Sequence, residues 1–418
     1  MIKLISNKRM DNQLTNIGIV RESRNDENRT PLVPEHIKKY KESNPNINFI
    51  IQPSKSRCFS DEEYELCGAK INENLNECSI ILGVKEIDPN ILINNKTYLF
   101  FSHTFKINKQ QKNIEKHKKD LLLSIINKKI TLIDYENIRG KNGTRCLGFG
   151  RFAGIVGCYN TLNLLLKVLG KQSLASAYKI NDYERLVLNL KNLYFPKTKI
   201  LVTGDGRVAK GVIELLNQTN IKSVSKKDFL EKKLDQPIFC NLETKDYVKN
   251  NSSTNFNLEH FINNPQDYSS SALQYLKETN ILISAHYWDP SSPKIFENED
   301  LKVLQNLKIV GDITCDINGS VPTTIRSTTI EEPNYWIERY NLKEIYENND
   351  GIAVMAVDNL PSELPRDSST EFSEGIIKEV LPFLLKEDDG RILNGTITTD
   401  GSFLEKYNYL NEYIRNNE

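Results

Sequence analysis

The sequence predicts an α/β protein of two domains, each built on a mostly parallel sheet, with a cleft between them. Three observations predict this fold class. The chain has 418 residues, which is more than one hydrophobic core usually organises. Apolar segments of strand length alternate with helical patterns, and such alternation is typical of parallel sheets. The alternation also starts twice, near residue 16 and again near residue 199.

The first domain is predicted to comprise residues 15–150. Its expected elements are strands at 17–20, 48–52, 79–84, 98–101 and 131–133, helices at 34–42 and 61–67, and a lysine-rich helical stretch before the last strand. The glycine-rich segment 140–157 then precedes a helical run at 158–169. We expect this run to carry the chain into the second domain.

The second domain is predicted to comprise residues 151–352. Its expected strands lie at 199–202, near Ser223, and at 238–241, 281–285 and 308–312, whereas the polar segment 250–271 is expected to be loop with a little helix. An apolar strand, a helix at 370–385 and a helical tail follow residue 353. We expect 353–418 to return to the first domain.

Composition argues against several classes of function. The chain carries 55 basic and 55 acidic residues without a long block of one sign, so nucleic acid and membrane surfaces are not expected partners. Its apolar runs are far shorter than the roughly 20 residues of a spanning helix. Residues 1–14 are polar and lack the apolar core of a secretory signal. We therefore expect a soluble protein with a small-molecule substrate, and a homo-oligomer is left open.

The cysteines indicate the compartment. There are seven of them, an odd number, and they are scattered without a C-x-x-C pair. We expect ordinary core thiols in a reducing, cytoplasmic setting.

The clearest motif is LVTGDGRVAKG at 201–211, in which a strand leads into G-x-G-x-x-A and then a helix. Such a turn presents backbone N–H groups and a helix N-terminus to a pyrophosphate, and Gly206 leaves room for its close approach. Glycine turns also occur for purely geometric reasons. On this alternating pattern, however, the motif favours a Rossmann-like dinucleotide-binding domain, with Gly204, Gly206, Arg207 and Val208 at the cofactor.

The choice between NAD and NADP should depend on residues about 20 positions beyond the turn, because an acid there binds the ribose hydroxyls of NAD. This region reads VSKKD at 224–228. Ser225 and the two lysines after it would suit the 2′-phosphate of NADP, although Asp228 could still reach inward. The sequence slightly favours NADP over NAD.

Two ionisable side chains follow neighbouring strands of the first domain. Lys85 closes the apolar segment 80–84, and His103 closes 98–102. Parallel strands would bring both to the same carboxyl edge, where ligands bind in open α/β sheets. Imidazole groups titrate near neutrality, and burial beside other cations lowers the pKa of a lysine. We therefore predict an acid–base pair, with a capping histidine and a surface lysine as the alternative.

Other charged residues have two interpretations each. Arg29, in the loop after the first strand, could hold a substrate carboxylate, and Glu136 could pair with Lys85, or both could be surface residues. HYWD at 286–289 and GDITCD at 311–316 follow apolar strands and are expected to line the cleft near the nicotinamide. Asp312 and Asp316 could form a metal pair, but no further ligands gather around them. Hydrogen bonding to ribose or substrate is therefore favoured, and no metal is predicted.

These motifs resemble a known family. GIVRE (18–22), ENRTPLVP (27–34) and LGVKE (82–86) resemble the N-terminal domain shared by alanine dehydrogenase, transhydrogenase and saccharopine dehydrogenase. A more specific set resembles the lysine-ketoglutarate reductase portion of aminoadipic semialdehyde synthase: TYLFFSHT (97–104), LIDYE (132–136), FGRFAG (149–154), TGDGRVAKG (203–211), YW (287–288), GDITCD (311–316), VDNLP (357–361) and ITTDG (397–401). The likeness spans nearly the whole chain.

The resemblance implies roles for single residues. It implies acid–base roles for Lys85 and His103 with Glu136 beside the lysine, substrate-carboxylate binding by Arg29 and Lys106, and positions near the cofactor for Arg145 and Asp316. Tyr287 is expected at the cofactor from its place in HYWD, after an apolar strand. One departure affects the cofactor, because fungal NAD-using members carry an aspartate near the position of Ser225.

The implied activity is that of an NAD(P)-dependent saccharopine dehydrogenase of the lysine-forming kind. Saccharopine would be oxidised to an imine and hydrolysed to lysine and 2-oxoglutarate. Two alternatives remain open on the sequence: an alanine dehydrogenase or other amino-acid dehydrogenase on the same scaffold, and a non-catalytic nucleotide-binding sensor.

Overall fold

The computed structural model describes residues 14–106, 116–180, 182–231, 235–252, 255–347 and 350–415. The predicted polar start lies outside these residues up to residue 13, as does part of the predicted lysine-rich stretch, at 107–115. In chain order the described strands are β1 (Thr15–Ile19), β2 (Ile47–Ile51), β3 (Lys70–Ile71), β4 (Ile80–Leu82), β5 (Thr97–Phe100), β6 (Thr131–Asp134), β7 (Lys199–Thr203), β8 (Lys222–Ser223), β9 (Ile238–Leu242), β10 (Val248–Asn250), β11 (Tyr268–Ser270), β12 (Ile281–Ser284), β13 (Ile309–Asp312), β14 (Asn334–Ile337), β15 (Glu344–Ile345), β16 (Ile352–Met355), β17 (Thr396–Thr399) and β18 (Ser402–Phe403).

The α-helices follow the alternation that the sequence predicts. They are α1 (Pro34–Ser43), α2 (Asp61–Leu66), α3 (Lys116–Asn127), α4 (Gly150–Val168), α5 (Tyr183–Lys191), α6 (Arg207–Leu216), α7 (Lys226–Glu231), α8 (Thr244–Tyr247), α9 (Leu258–Asn263), α10 (Leu273–Leu276), α11 (Pro365–Gly375), α12 (Leu381–Leu385), α13 (Arg391–Gly395) and α14 (Tyr409–Arg415). A π-helical turn, Ile376–Val380, joins α11 to α12.

The chain divides into two compact units, Met1–Gly148 with Pro365–Glu418, and Phe149–Leu364. The first unit holds an eight-stranded sheet of order β18-β17-β6-β5-β4-β1-β2-β3. Pairs from β6 to β3 are parallel, whereas β17 and β18 extend the β6 edge as antiparallel strands. Strands β4, β5 and β6 are almost wholly buried, which explains why their segments read as continuous apolar runs.

The second unit holds another eight-stranded sheet, of order β15-β14-β16-β13-β12-β7-β9-β8. Its pairs from β16 to β8 are parallel, and β14 and β15 are antiparallel. The predicted fold class, α/β with two mostly parallel sheets, is therefore confirmed, whereas the cleft stays a prediction. In this sheet β9 lies next to β7, and the two-residue β8 lies at the sheet edge.

Two predicted domain boundaries shift in the structure, and one predicted loop segment contains strands. The strand after residue 353 pairs with β13 in the second sheet, so the chain returns to the first unit at Pro365 and not at 353. The first crossing falls between residues 148 and 149, close to the predicted 150. In the segment 250–271 the prediction missed that β10 and β11 form an antiparallel ribbon beside α9.

Helix α4 is more than a crossing segment, because it packs against α6 with the two backbones in contact. A Cβ atom on Gly154 would lie 2.0 Å from the carbonyl oxygen of Val208, and one on Gly211 would lie 2.1 Å from that of Arg151. Glycine at both places is what allows this approach. The packing anchors α6, which begins at the glycine turn, onto a largely buried helix.

Within the described part of the chain, no helix combines the length and the apolar character that crossing a membrane requires. All seven cysteines have free thiols.

Candidate active site

The carboxyl edge of the first sheet gathers the charged side chains that the sequence singled out. Strand register aligns Leu82 with Leu99 and Phe100 with Asp134, so the segments after β4, β5 and β6 leave the sheet side by side. Lys85 follows β4 and His103 follows β5, as predicted. The histidine adopts a left-handed backbone conformation with φ of 51°, which is uncommon for a non-glycine residue.

His103 lies between two carboxylates. Its Nδ1 atom is 2.7 Å from Glu86 Oε1, and its Nε2 atom is 3.9 Å from Glu136 Oε2. Burial of Glu86 opposes its ionisation, but the hydrogen bond and charge of His103, a backbone hydrogen bond and the charge of Lys85 together lower the pKa of Glu86. The imidazole is thus oriented on one side and faces a second, more distant anion on the other.

Glu136 forms ion pairs with two cationic side chains. Its Oε2 atom is 3.0 Å from Lys106 Nζ, and its Oε1 atom is 3.2 Å from Arg145 Nη1. Burial opposes ionisation of Glu136, but Arg145, Lys106 and His103 together lower its pKa. This cluster therefore has more positive than negative groups, which suits binding of an anionic substrate group.

The predicted pairing of Glu136 with Lys85 is not found among the described residues. Strand order explains the error, because β5 lies between β4 and β6. Two strand spacings separate the positions by about 10 Å, and His103 follows the strand between them. Lys85 instead has Glu27 and Glu86 as its anionic neighbours.

The pKa of Lys85 is lowered, first by burial and then by the nearby Arg29 guanidinium, against the opposing effect of Glu27 and Glu86. A lysine in this setting is more readily neutral than one in water, which suits a group that must accept a proton.

Glu22, near the start of the connection between β1 and α1, holds the backbone around Lys85. Its carboxylate accepts hydrogen bonds from the N–H groups of Val84 at 2.6 Å and Lys85 at 2.9 Å. Burial and the neighbouring Glu27 raise the pKa of Glu22 to about 8. When Glu22 is protonated, one of the two oxygens that accept from Val84 and Lys85 carries the proton. The charge state of Glu22 therefore affects the hydrogen bonds that hold the loop of Lys85.

Arg29 is buried and bound to Glu27. Its Nε atom donates to Glu27 Oε1 at 2.7 Å, its Nη2 atom donates to Oε2, and its backbone N–H donates to Oε1 at 3.0 Å. Burial opposes ionisation of Glu27, but Arg29 outweighs it and lowers the pKa of that carboxyl. The alternative of an exposed loop arginine is wrong, since Arg29 has 3% exposure. Binding of a substrate carboxylate stays a prediction for it.

Asp134 organises the edge, although the sequence reading gave it no role. Its buried carboxylate accepts from the Ser102 N–H at 2.8 Å, the Ser102 hydroxyl at 2.6 Å and the His103 N–H at 3.1 Å. It also accepts from the Glu136 N–H at 2.8 Å. Burial raises its pKa against these bonds. One carboxylate thus ties the His103 turn to the Glu136 turn, and its position as the last residue of a strand was the available signal.

In the second unit, the glycine turn has the form that the motif predicts. Gly204 has φ of 114°, and a Cβ atom there would lie 2.6 Å from the Ala285 carbonyl oxygen, so only glycine fits. A Cβ atom on Gly206 would meet nothing within 4 Å, so the surface above it is open. Gly206 is the N-cap of the ten-residue helix α6 and makes no side-chain cap bond. These features fit a dinucleotide whose pyrophosphate binds at the start of α6.

His286 and Asp312 are buried and do not line an open surface as expected. The His286 ring contacts the Thr203 hydroxyl at 2.8 Å and the Ser320 hydroxyl at 2.9 Å, and burial lowers its pKa to about 4. The Asp312 carboxylate accepts from the hydroxyls of Thr314 at 2.7 Å and Thr324 at 2.6 Å. Their polar atoms are already used inside the unit, so the expected role of Asp312 at ribose or substrate is wrong.

The remaining predicted cofactor residues are at the surface of their units. Arg207 and Val208 begin α6, Tyr287 is 86% exposed, and Asp316 and Ser225 are exposed. Ser225 follows β8, which lies beyond β9 and not beside the strand that leads into the glycine turn. Among the described residues no group of three or more His, Cys, Asp or Glu side chains could hold a metal ion.

Two domain models match the chain. The Alanine dehydrogenase/PNT N-terminal domain matches residues 18–156, and the Alanine dehydrogenase/PNT C-terminal domain matches residues 240–406. The chain belongs to the alanine dehydrogenase/PNT family.

Curated relatives of this family member carry two names. An α-aminoadipic semialdehyde synthase of Arabidopsis thaliana is 29% identical over 86% of this chain and 37% of its own length, and that of Rattus norvegicus is 26% identical over 94% and 47%. The chain thus spans less than half the length of these relatives. A saccharopine dehydrogenase [NAD(+), L-lysine-forming] of Schizosaccharomyces pombe is 25% identical over 85% of this chain and 89% of its own length.

Solved structures of the family agree on the fold. An L-alanine dehydrogenase superposes with a TM-score of 0.65 at 13% identity, covering 96% of this chain and all of that one. A transhydrogenase from Sinorhizobium meliloti gives 0.56 at 12% identity, covering 93% and 98%. The predicted class, an NAD(P)-dependent oxidoreductase acting on CH–NH donors, agrees with the family of this chain and with the name of the Schizosaccharomyces pombe relative.

Proposed function

We propose that this chain catalyses the reversible oxidative deamination of saccharopine to lysine and 2-oxoglutarate. The observation that carries the proposal is the position of Lys85 and His103 after adjacent strands of one sheet, each with carboxylates beside it. The likeness to the saccharopine dehydrogenase of Schizosaccharomyces pombe, over 85% of this chain, supports the same substrate.

The reaction needs two proton-transfer groups. A bound nicotinamide supplies the hydride acceptor for the glutaryl carbon of saccharopine. Lys85, with its lowered pKa, accepts the proton of the secondary amine as the imine forms. His103 takes a proton from the water that attacks the imine carbon, and a carbinolamine results.

Collapse of the carbinolamine reuses the same pair. After releasing to solvent the proton it took from water, His103 takes the hydroxyl proton as the carbon–nitrogen bond breaks, and Lys85 returns its proton to the leaving amine of lysine. Glu86 supports this role of His103, because its carboxylate lies 2.7 Å from Nδ1 and leaves Nε2 directed away from it. The reverse sequence is a reductive amination.

The charges at the site match a substrate with three carboxylates. Lys106 and Arg145 lie against one carboxylate, Glu136, and Lys106 is half-exposed, so a substrate anion can share these cations. Arg29 is buried with Glu27. We propose that its positive charge contributes to catalysis by lowering the pKa of Lys85, in addition to any direct contact that it makes with a substrate carboxylate.

We extend the proposal to a reducing, cytoplasmic compartment, with which the seven free thiols are compatible.

A substrate panel tests the proposal. Oxidation of NADH and NADPH should be measured with lysine plus 2-oxoglutarate and, in parallel, with ammonia plus pyruvate. We expect turnover with the first pair and little with the second. Preference for ammonia and pyruvate would identify an alanine dehydrogenase, and tight cofactor binding without turnover on any pair would identify a sensor.

A further inference from the structure

The strand order of the second unit changes which residues adjoin the glycine turn. Strand β9 pairs with β7 along the register Thr203 with Leu242, and β8 pairs with the far side of β9. The Gly204 N–H donates to the Leu242 carbonyl at 2.8 Å, so the turn and the end of β9 are in direct contact. Ser225, after β8, is displaced from β7 by a further strand, and two strand spacings amount to about 10 Å.

This order matters for the adenosine half of a dinucleotide. With the pyrophosphate at the glycine turn, the ribose extends over the end of the strand next to it, and an acid at that strand end binds the ribose hydroxyls. In the usual order this is the second strand of the domain, about 20 residues beyond the turn. Here the neighbouring strand is β9, and the first residue after it is Glu243.

Glu243 is an acid held in place. It is the N-cap of α8, where its backbone carbonyl accepts from the Asp246 N–H at 2.8 Å while the Asp246 side chain accepts from the Glu243 N–H at 2.9 Å. Its Oε2 atom is 2.6 Å from Lys245 Nζ, and its side chain is 47% exposed. The carboxylate is therefore positioned by Lys245 and is still accessible to a ligand.

The charges around Glu243 disfavour binding of the 2′-phosphate that distinguishes NADP(H) from NAD(H). Asp205 in the glycine turn acts electrostatically on Lys245 and Tyr247, so it belongs to the same neighbourhood. Lys226, one of the lysines that suggested NADP, is paired with the Asp246 carboxylate. A 2′-phosphate would bring about two further negative charges to a group of three carboxylates and two paired lysines.

We propose that Glu243 binds the adenosine ribose hydroxyls and that it gives this chain a preference for NAD(H) over NADP(H). The proposal reverses the slight preference for NADP that the sequence spacing suggested at Ser225. It rests on dinucleotide binding and not on the identity of the amino-acid substrate.

Fluorescence titration with NADH and with NADPH, without amino-acid substrate, tests the proposal. We expect wild-type protein to bind NADH at least about tenfold more tightly. Glu243→Ser keeps a good N-cap residue, so α8 should form, and Glu243→Gln keeps the side-chain shape. Both variants should reduce the preference for NADH over NADPH, measured as the ratio of the two dissociation constants, by about tenfold, mainly by weakening the binding of NADH.

Ser225→Asp is the matched control, because it introduces an acid at the position that sequence spacing indicates. We expect its ratio of dissociation constants to equal that of the wild type. The proposal is overturned if wild-type protein prefers NADPH or binds neither cofactor, or if Ser225→Asp shifts the ratio while both Glu243 variants leave it unchanged. Because no substrate is present, these outcomes are independent of whether saccharopine is the substrate.

Discussion

The hydroxyl of Ser373 accepts a hydrogen bond of 3.1 Å from the backbone N–H of Val33, although the two residues lie 340 positions apart in the chain. Val33 is the N-cap of α1 and makes no side-chain cap bond of its own. One turn earlier on α11, the Ser369 hydroxyl accepts from the Thr30 N–H at 3.0 Å. Helix α11 therefore holds the loop that carries Arg29.

Ser373→Ala should destabilise the first unit. The buried Val33 N–H would lose its acceptor, which costs about 1–3 kcal/mol, less the small gain of placing alanine in a helix. Thr370→Ala on the same helix is the control, since that hydroxyl is exposed and bonds only within α11, and it should stay within about 0.5 kcal/mol of wild type. Urea unfolding followed by far-UV circular dichroism measures both. Equal stability of the two variants would contradict a stabilising role for the hydrogen bond between Val33 and Ser373.

His103→Gln should slow turnover without changing the affinity for the cofactor. Loss of a general acid–base group costs about 10²–10⁴-fold in kcat. The dissociation constant for NADH should be unchanged, because its predicted glycine turn belongs to the other unit. His260→Gln, a half-exposed histidine of the second unit, is the control and should keep full activity. Wild-type kcat in His103→Gln would exclude its catalytic role.

Alanine at the two glycines of the turn should have opposite consequences. Gly204→Ala places a Cβ atom 2.6 Å from a carbonyl oxygen at positive φ, so it should lose at least about 1–3 kcal/mol of stability. Gly206→Ala meets open space and should fold normally, but its methyl group occupies the approach of the pyrophosphate and should weaken NADH binding by about tenfold. Melting temperature and cofactor titration separate the two effects. Normal cofactor affinity in Gly206→Ala would argue against binding at this turn.

His286 should make the second unit sensitive to acid. Burial lowers the pKa of its imidazole from 6.5 to about 4. The unfolded chain therefore binds a proton below pH 6.5 that the folded chain does not bind. The stability that the neutral ring contributes is complete above pH 6.5 and is lost as the pH falls towards 4, by up to roughly 3 kcal/mol.

Comparison with His286→Asn isolates this effect from that of the buried carboxyls. Between pH 7 and 4.5 the variant should lose less stability than the wild type. Unfolding can be followed by the fluorescence of the two tryptophans, Trp288 and Trp336, which both lie in the second unit. Parallel stability curves for the two proteins would show that His286 is not the group responsible.

Local pattern and periodicity were sufficient for most of the fold. The segments that form β1, β4, β5, β6 and β7 are apolar and long enough to be recognised, and alternation with helices implied parallel pairing. The two-residue strands had no such signal. The exception is β8, which was predicted near Ser223 and is found there, but its place at the sheet edge depends on long-range pairing that a window of sequence does not contain.

The candidate site was predicted in part for the same reason. Lys85 and His103 follow recognisable strands, so their shared edge could be inferred. The pairing of Glu136 with Lys85 was wrong because the strand between them was not taken into account. The contact of Ser373 with Val33 depends on the return of the chain at Pro365, which no local pattern around either residue indicates.

The second unit is inserted in the sequence of the first unit, so the two parts of the first unit are synthesised at different times. On the ribosome the strands β1 to β6 emerge first, but α11, β17 and β18 emerge only after the whole second unit has been translated. The second unit is continuous in sequence and can complete its fold during this interval. Meanwhile the nascent first unit has an unpaired β6 edge and no acceptor for the Val33 N–H. This interval is the stage at which the growing chain most needs protection by a chaperone.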